Sequence, residues 1–310
     1  MSKSRILRSM LYAPANSWRM VNNCLTGAQD AVILDLEDAV PVEEKETARV
    51  FARDAMPMFE EAEIDGFVRV NSWPTGLVEE DVSYVVTKGI SGVMLAKTET
   101  KDEVLRLEQL VGEEEKKKGL ELNSVGILPL LESPKGVHNA LDIASASSRI
   151  VGLAFGAGDF LREMGSGFAV TRLSAEEYYL PIIYARSRIA AAARIVGIEA
   201  IDTPFFGLLI DIKGLVKETE NVKLLGFTGK QVTHPRHVDP VNKIFAPSEE
   251  DVDYAKKLIQ AYEEAKARGA GAASYGGRLI DYATCKIGMD MLAKAEWIAT
   301  KVTARREKVF

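Results

Sequence analysis

The chain has 310 residues and a mass of 34.0 kDa, and 47% of its residues are hydrophobic, which is enough for one large domain or two modest ones. A net charge of −6 and a pI near 5.4 provide no general basic field for a phosphate backbone, which argues against a nucleic-acid partner. Cys24 and Cys285 lie far apart, outside any zinc-ligand spacing, and there is no apolar run of about 18 residues. We therefore expect a cytoplasmic protein without a structural zinc or a membrane span.

Short apolar runs recur at intervals of roughly thirty residues, and a longer amphipathic stretch follows each of them, as is typical of βα units. The eight predicted strands are Ser9–Pro14, Ala31–Leu36, Gly66–Asn71, Gly92–Lys97, Val125–Leu131, Ile150–Phe155, Glu199–Thr203 and Leu224–Thr228. The runs are nearly continuous rather than alternating, which indicates a parallel sheet covered by helices, and eight strands can close a barrel. The sequence predicts an α/β fold, a (β/α)8 barrel over residues 1–245, with an open doubly wound sheet as the alternative.

The remaining residues, 246–310, are more than a barrel needs. They begin with a charged amphipathic helix over Pro247–Arg268 and end with a second helix over Ala283–Thr300. Between them lies the small-residue segment GAGAASYGGRLID, which is rich in glycine and therefore reads as a flexible connection. We expect a C-terminal helical extension or lid.

Polar side chains stand where the predicted strands end, which is where the active site of a βα barrel lies. They are Asp35, Glu37, Asp38, Arg69, Asn71, Lys97, Glu132, Asp159, Asp202, Lys230 and His234. A single acidic residue at a strand end often only caps the next helix, but a set from seven strands would meet at one mouth. Asp38 and Lys230 are therefore predicted to contact substrate, and His234 is either a third such contact or only a turn residue.

Glu132 and Asp159 end neighbouring predicted strands, so their carboxylates are expected to share a cation. Mg²⁺ prefers such a site, because it keeps several waters and takes only one or two protein carboxylates. The chain has three histidines, and neither His138, in a predicted helix, nor His237, in a Pro-rich loop, suggests a His-rich zinc site. The predicted cofactor is Mg²⁺.

Nucleophilic catalysis finds little support in the sequence. There is no Gly-x-Ser-x-Gly elbow and no evident Cys/His pair, and a Schiff base on Lys97 would need a desolvated pocket that the neighbouring acids disfavour. The glycines of GLAFGAGDF do not have the spacing of a dinucleotide-binding loop. The chemistry expected at the strand ends is therefore metal-assisted.

Eight segments occur in the order found in a known family. They are RSMLYAPAN, VILDLEDAV, VRVN, LLES, FGAGDF, IDTPF, GKQVTHP and GGRLID, beginning at residues 8, 32, 68, 130, 155, 201, 229 and 276. Together they span most of the chain and resemble the citrate lyase β-subunit-like proteins of the HpcH/HpaI aldolase superfamily, among them malyl-CoA and citramalyl-CoA lyases. No single segment is specific for the family, but the occurrence of all eight in this order is.

The resemblance implies a trimer-forming barrel in which Mg²⁺ is held at the positions matching Glu132 and Asp159. It also implies that Arg69 contacts a 2-oxoacid and that the region around Arg8 and Arg19 meets coenzyme A. Asp281 of GGRLID matches a catalytic acid/base that reaches a neighbouring subunit's site, and a mobile lid would deliver it. One departure is that Ala283 stands where the family usually has proline.

The expected function is a Mg²⁺-dependent carbon–carbon lyase that cleaves a 3-hydroxy-dicarboxylic acyl-CoA into acetyl-CoA or a related acyl-CoA plus a 2-oxoacid, or condenses the two, as a homotrimer or hexamer. The first alternative is a citrate lyase β-subunit acting on citryl-acyl carrier protein. The second is a metal-dependent 2-oxoacid aldolase without CoA, against which a tail aspartate argues. The third is a non-catalytic barrel, against which the full set of strand-end acids argues.

Overall fold

A computed structural model describes residues 5–166 and 175–309. Its first eight strands are β1 (Ser9–Pro14), β2 (Ala31–Asp35), β3 (Asp65–Val70), β4 (Ile90–Leu95), β5 (Gly126–Leu131), β6 (Gly152–Phe155), β7 (Glu199–Asp202) and β8 (Gly229–Val232). Each pairs in parallel with the next, and β8 pairs with β1, so the sheet is a closed barrel. The predicted barrel is confirmed and the open sheet is excluded.

The helices follow the strands in the expected alternation. They are α1 (Trp18–Asn23), α2 (Lys45–Glu61), α3 (Val78–Val85), α4 (Lys101–Lys118), α5 (Pro134–His138), α6 (Ala140–Ala144), α7 (Ala157–Glu163), α8 (Ala175–Val196), α9 (Ile212–Leu224) and α10 (Val238–Phe245). Local sequence fixes some of their ends: Thr100 and Glu103 form a capping box before α4, and Gly119 ends that helix with a φ of 65°.

The barrel interior is packed with apolar side chains from successive strands. One buried cluster contains Leu7, Met10, Ala31, Ile33, Phe67, Met94, Leu128, Leu130, Ala154 and Ile201. Because side chains alternate along a strand, the residues between them face the surrounding helices, and both faces of the sheet are apolar. The continuous apolar runs in the sequence have this origin.

The eighth strand was predicted in the wrong place. Leu224 is the last residue of α9, and the strand begins only at Gly229, after the predicted Leu224–Thr228 run has ended. The sequence of β8, GKQV, looks polar, yet all four of its residues are buried. A Cβ on Gly229 would lie 1.8 Å from the carbonyl oxygen of Leu7, so only glycine permits this close approach of β8 to the chain before β1.

The chain divides into two compact units, Met1–Asn242 and Lys243–Phe310. The second unit contains α11 (Glu249–Ala267), β9 (Ala273–Tyr275), β10 (Arg278–Ile280) and α12 (Tyr282–Val309). Strands β9 and β10 form an antiparallel hairpin. Its turn residues Gly276 and Gly277 have φ values of 57° and 76°, which a two-residue hairpin turn requires. The glycine-rich segment predicted as a flexible connection is therefore an ordered hairpin in part.

A small apolar core holds the second unit together. Leu258, Tyr262, Ile280 and Cys285 form a buried cluster that joins α11, the hairpin and α12. Both cysteines of the chain are free and buried, as small apolar residues are. Within residues 5–166 and 175–309, no helix is long and apolar enough to cross a membrane.

Candidate active site

A cavity of about 500 Å³ opens where the barrel strands end. Its walls include Tyr12, Asp35, Asp38, Arg69, Glu132, Asp159 and Gln231. These residues lie at or just beyond the carboxyl ends of strands β1, β2, β3, β5, β6 and β8. The structure therefore brings together four of the predicted site residues, Asp38, Arg69, Glu132 and Asp159, at the predicted end of the barrel.

Glu132 is the most perturbed acid of this cavity. It follows β5 directly, is 4% exposed, and its Oε1 accepts a 2.7 Å hydrogen bond from the backbone N–H of Lys97. Burial raises the pKa of Glu132 to about 8, and the charges of Glu37 and Asp159 contribute to the rise. A buried carboxyl group among other carboxylates is one that a cation would stabilise.

Asp159 faces the same cavity from the first turn of α7, with a quarter of its side chain exposed. Its Oδ1 accepts from Arg162 one turn later, at 3.1 Å, and its Oδ2 lies 3.9 Å from Lys97 Nζ. Gly156 separates the two acids, and a Cβ there would lie 2.6 Å from Glu132 Oε2. This glycine of FGAGDF makes room for the Glu132 carboxylate and does not belong to a dinucleotide loop.

Arg69 lies on the cavity wall with its guanidinium held from two sides. Its Nε and Nη2 each donate to Asp35 at 2.6 Å, and its Nη1 lies 3.0 Å from Glu37 Oε2. The guanidinium also lies over the ring of Tyr12, 5.2 Å from the centroid. Burial alone would raise the pKa of Asp35, but Arg69 outweighs burial and holds that pKa below its usual range.

Tyr12 and Gln231 form a wall that the sequence did not reveal. Both side-chain N–H groups of an amide can donate, and Gln231 Nε2 donates to the carbonyl oxygens of Phe155 and Asp202, at 2.8 and 3.1 Å. Its Oε1 is thereby turned toward Tyr12, whose hydroxyl donates to it at 2.9 Å. Burial raises the pKa of Tyr12 well above its ordinary value, so the hydroxyl stays protonated.

Glu37 and Lys97 were visible in the sequence, but their roles were not. Glu37 is 5% exposed, and burial raises its pKa, although Arg69 and Lys97 oppose the rise. Lys97 Nζ contacts Glu37 and lies 3.5 Å from Asp38, which is mostly exposed. The carboxylates raise the pKa of Lys97 despite its partial burial, so its amine is a protonated cation rather than a Schiff-base nucleophile.

Lys230 lies apart from this cavity. It is completely buried, and its Nζ donates to Asp202 at 2.6 Å and to Glu218 of α9 at 2.7 Å. Arg186 of α8 binds the same two carboxylates, with Nε 2.8 Å from Asp202. The predicted substrate contact is therefore part of an ion-pair network between β7, β8 and the surrounding helices, and this placement gives no support to contact with substrate.

Arg8 lies at the opposite end of the barrel from the cavity. It precedes β1, and both its backbone N–H and its guanidinium bind Asp30, which precedes β2. Arg19 is different, because it is exposed on α1, beside the cavity residue Met20. Of this pair, only Arg19 is next in the chain to a residue that lines the cavity.

His234 has the position of a turn residue. Its Nδ1 accepts a 3.1 Å hydrogen bond from the backbone N–H of Arg236, at the start of a 3-10 turn over Pro235–His237. Its neighbour Thr233 lines the cavity. Of the two interpretations left open by the sequence, the turn role is the one with a contact in the structure.

Asp281 belongs to the second unit, where it precedes α12. Its Oδ1 accepts from the backbone N–H of Thr284 at 2.9 Å and from the Thr284 hydroxyl at 2.8 Å. These two hydrogen bonds hold the pKa of the exposed Asp281 carboxyl below its usual value. Ala283 lies in the first turn of the helix, where proline and alanine are both accommodated, so the departure at this position leaves the helix start intact.

The donor set of the cavity fits Mg²⁺. Glu132 and Asp159 supply hard oxygen ligands, and burial, with the charges of Glu37 and Asp159, raises the pKa of Glu132, so a bound cation would stabilise its ionised form. No group of three or more His, Cys, Asp or Glu side chains within the described part of the chain forms a complete metal cage. Mg²⁺ needs none, because it binds through one or two carboxylates with water and substrate oxygens.

Fold and site together define a (β/α)8-barrel protein with an acidic cavity at the carboxyl ends of its strands. The HpcH/HpaI aldolase/citrate lyase family matches residues 8–235. The chain is 37% identical over 279 residues to a citrate lyase subunit beta of Haemophilus influenzae, which covers 89% of this chain and 92% of the relative. The chain belongs to the HpcH/HpaI aldolase/citrate lyase family, as the order of its motifs predicted.

Two further comparisons describe proteins that bind or act on CoA compounds. An L-malyl-CoA/beta-methylmalyl-CoA lyase of Cereibacter sphaeroides is 31% identical, over 94% of this chain and 95% of the relative. CitE of Mycobacterium tuberculosis, solved with magnesium, acetoacetate and coenzyme A, superposes with a TM-score of 0.75 at 26% identity, over 96% of this chain and 100% of that one.

Proposed function

We propose that this protein is a Mg²⁺-dependent carbon–carbon lyase that cleaves a 3-hydroxy-dicarboxylic acyl-CoA into an acyl-CoA and a 2-oxoacid, or condenses the two. The observation that carries the proposal is the buried carboxyl group of Glu132, which shares the strand-end cavity with Asp159. The relatives named for citrate lyase and malyl-CoA lyase support the reaction class, and the magnesium and coenzyme A bound to CitE support the cofactor and the thioester.

Glu132 and Asp159 would hold Mg²⁺ through their carboxylates. When bound, Mg²⁺ supplies a Lewis acid that lowers the pKa of the substrate hydroxyl. Arg69 neutralises and orients the carboxylate of the 2-oxoacid, and its guanidinium is already fixed by Asp35 and stacked on Tyr12. Because these groups are held before substrate arrives, little order has to be created on binding.

Asp281 handles the proton at the carbon next to the thioester. Cleavage leaves an enolate that must gain a proton at carbon, and condensation must remove one from the same position. The exposed Asp281 is ionised near neutral pH, since the hydrogen bonds from Thr284 lower its pKa, and it is therefore available as a base in the condensation direction. Arg19, exposed on α1, is the retained candidate for contact with the CoA portion.

A panel of thioesters tests the proposal. Malyl-, methylmalyl-, citramalyl- and citryl-CoA are each incubated with chelator-treated protein, with and without added Mg²⁺, and the released 2-oxoacid is measured. We expect release from at least one CoA ester only when Mg²⁺ is present. Citryl-acyl carrier protein and free hydroxy-oxoacids are tested in the same way. Release from citryl-acyl carrier protein alone would make the chain a citrate lyase β-subunit, and cleavage of free hydroxy-oxoacids alone would make it an aldolase.

We further propose a cytoplasmic homotrimer or hexamer in which Asp281 acts on a neighbouring subunit's cavity. Inactive Asp281→Asn chains are mixed with inactive Glu132→Ala chains, because a shared site would let an intact Asp281 serve an intact Glu132 cavity. We expect part of the activity to return. Mixed oligomers that have demonstrably exchanged subunits and stay as inactive as either parent would show that Asp281 serves its own barrel or none.

A further inference from the structure

Lys97, which contacts the cavity residues Glu132 and Asp159, has an unusual backbone conformation. It lies two residues after β4 and has a φ of 51°, in the left-handed region that a lysine rarely adopts. This conformation is retained only where the surroundings determine it. Here the Lys97 N–H donates to the buried Glu132 carboxylate at 2.7 Å, so the backbone of Lys97 is tied to the proposed metal ligand.

The side chain of Lys97 reaches three further carboxylates from the same position. Its Nζ contacts Glu37, which is buried, and lies 3.5 Å from Asp38 and 3.9 Å from Asp159 Oδ2. About a third of the Lys97 side chain is exposed, so it is anchored at Glu37 yet has room to move at its cavity side. One residue thus places a hydrogen-bond donor on Glu132 and a positive charge beside Asp159.

The second cation near Asp159 is more loosely held. Arg162 contacts Asp159 Oδ1 from one turn along α7, but its side chain is 67% exposed and its only other acidic contact is Glu163 at 4.0 Å among the described residues. Arg162 can swing into solvent without leaving a buried charge behind. If Lys97 did so, the buried Glu37 would lose one of its two ion-paired cations within the described part of the chain and keep only Arg69.

We propose that Lys97 is the internal cation of this cavity, which neutralises Glu37 and Asp159 in the metal-free protein and opposes Mg²⁺ when it binds there. The inference rests on the proposed function, because it takes Glu132 and Asp159 as the metal ligands. A cation bound to Asp159 would lie close to the ammonium group that Glu37 anchors, so the two positive charges repel. Lys97 therefore weakens Mg²⁺ binding while it keeps the empty cavity folded.

Mg²⁺ is titrated into chelator-treated protein without substrate, and calorimetry measures the binding, which tests this role of Lys97. Lys97→Met removes the charge but keeps the length of the side chain, and Lys97→Asn removes the charge with a residue that tolerates positive φ. We expect both variants to bind Mg²⁺ at least tenfold more tightly than wild type. Their metal-free forms should also unfold at a lower temperature and gain more from Mg²⁺, because binding is linked to stability.

Two matched variants complete the experiment. Lys97→Arg keeps the charge, and Lys117→Gln removes an exposed lysine that is paired with Glu114 at 3.1 Å near the C-terminal end of α4. Both should bind Mg²⁺ within about threefold of wild type. Equal or weaker binding by folded Lys97→Met and Lys97→Asn, with normal binding by wild type, would overturn the role of Lys97 alone. Absence of Mg²⁺ binding in every protein would overturn the proposed function together with it.

Discussion

Two clusters of charged side chains in the barrel use the same residue types in different ways. In the network behind the sheet, Arg186 and Lys230 face Asp202 and Glu218, so two cations balance two carboxylates. Around the cavity, five carboxyl groups face four cations among the described residues; the carboxyl groups are Asp35, Glu37, Asp38, Glu132 and Asp159, and the cations are Arg69, Lys97, Arg162 and the buried Lys45.

The pKa shifts follow this difference in balance. Burial alone would raise the pKa of Asp202, but Arg186 and Lys230 outweigh it and lower the pKa. Burial raises the pKa of Glu132 to about 8, and neighbouring acids add to the effect instead of opposing it. Both carboxyl groups are buried, so burial does not distinguish a structural cluster from a functional one. An unbalanced charge beside an open cavity does.

The largest effect is expected from removing the proposed ligands. Glu132→Ala and Asp159→Ala should each lower thioester cleavage at least about a hundredfold and abolish its dependence on Mg²⁺, because a bound metal supplies several kcal/mol of charge stabilisation. Turnover is measured against Mg²⁺ concentration, with the exposed Asp54→Ala as a control. If wild-type turnover persisted in chelator, the reaction would not depend on a bound metal.

In the ion-pair network of Lys230, we expect a substitution to lower stability and to leave Mg²⁺ binding unchanged. Lys230→Met leaves Asp202 and Glu218 short of a cation in a fully buried site, which costs about 3–5 kcal/mol of the free energy of unfolding. Mg²⁺ affinity should not change. Denaturant unfolding and Mg²⁺ titration are compared with Lys257→Met, which removes an exposed pair worth at most about 1 kcal/mol. A loss of Mg²⁺ affinity in a stable Lys230→Met protein would place Lys230 at the active site.

A smaller effect is expected at Arg69, which borders the cavity. Arg69→Lys keeps the charge but loses the two-point hold on Asp35, so apparent affinity for the 2-oxoacid in the condensation direction should fall at least about tenfold, or 1.4 kcal/mol. The measurement is the KM for the oxoacid at saturating acyl-CoA, with the melting temperature as a check on folding. An unchanged KM would show that Arg69 only supports Asp35.

Patterns in the sequence predicted the barrel well because its signals are local. Continuous apolar runs such as AVILD and GILPLL identified β2 and β5, and the predicted strand ends correctly placed Glu132 and Asp159 beside one cavity. The prediction was wrong at β8, where GKQV is buried because Lys230 has partners in β7 and α9, distant in sequence. A strand that contains a buried, ion-paired lysine is not recognised by the hydrophobicity of its sequence.

The sequence also did not reveal the direction in which a side chain points. Lys230 and Gln231 are adjacent in a four-residue strand, so they face opposite sides of the sheet, and only Gln231 reaches the cavity. When the strand is predicted a few residues away from its true position, the sequence does not reveal which of the two side chains faces the cavity. Likewise LEDAV showed two acids after β2, but Glu37 turns inward only because its N–H and that of Ala39 bind Asp35.

Titration of Mg²⁺ into the metal-free protein between pH 6 and pH 9 tests the central claim, that Glu132 is a buried metal ligand at which a proton competes with the metal. The raised pKa means that Glu132 is protonated below about 8 and must lose its proton to bind metal. We expect the Mg²⁺ affinity of the wild-type protein to rise with pH by nearly tenfold per pH unit below pH 8 and to level off above it. We expect Glu132→Gln to bind Mg²⁺ weakly at every pH. Affinity that is independent of pH and retained in Glu132→Gln would contradict it.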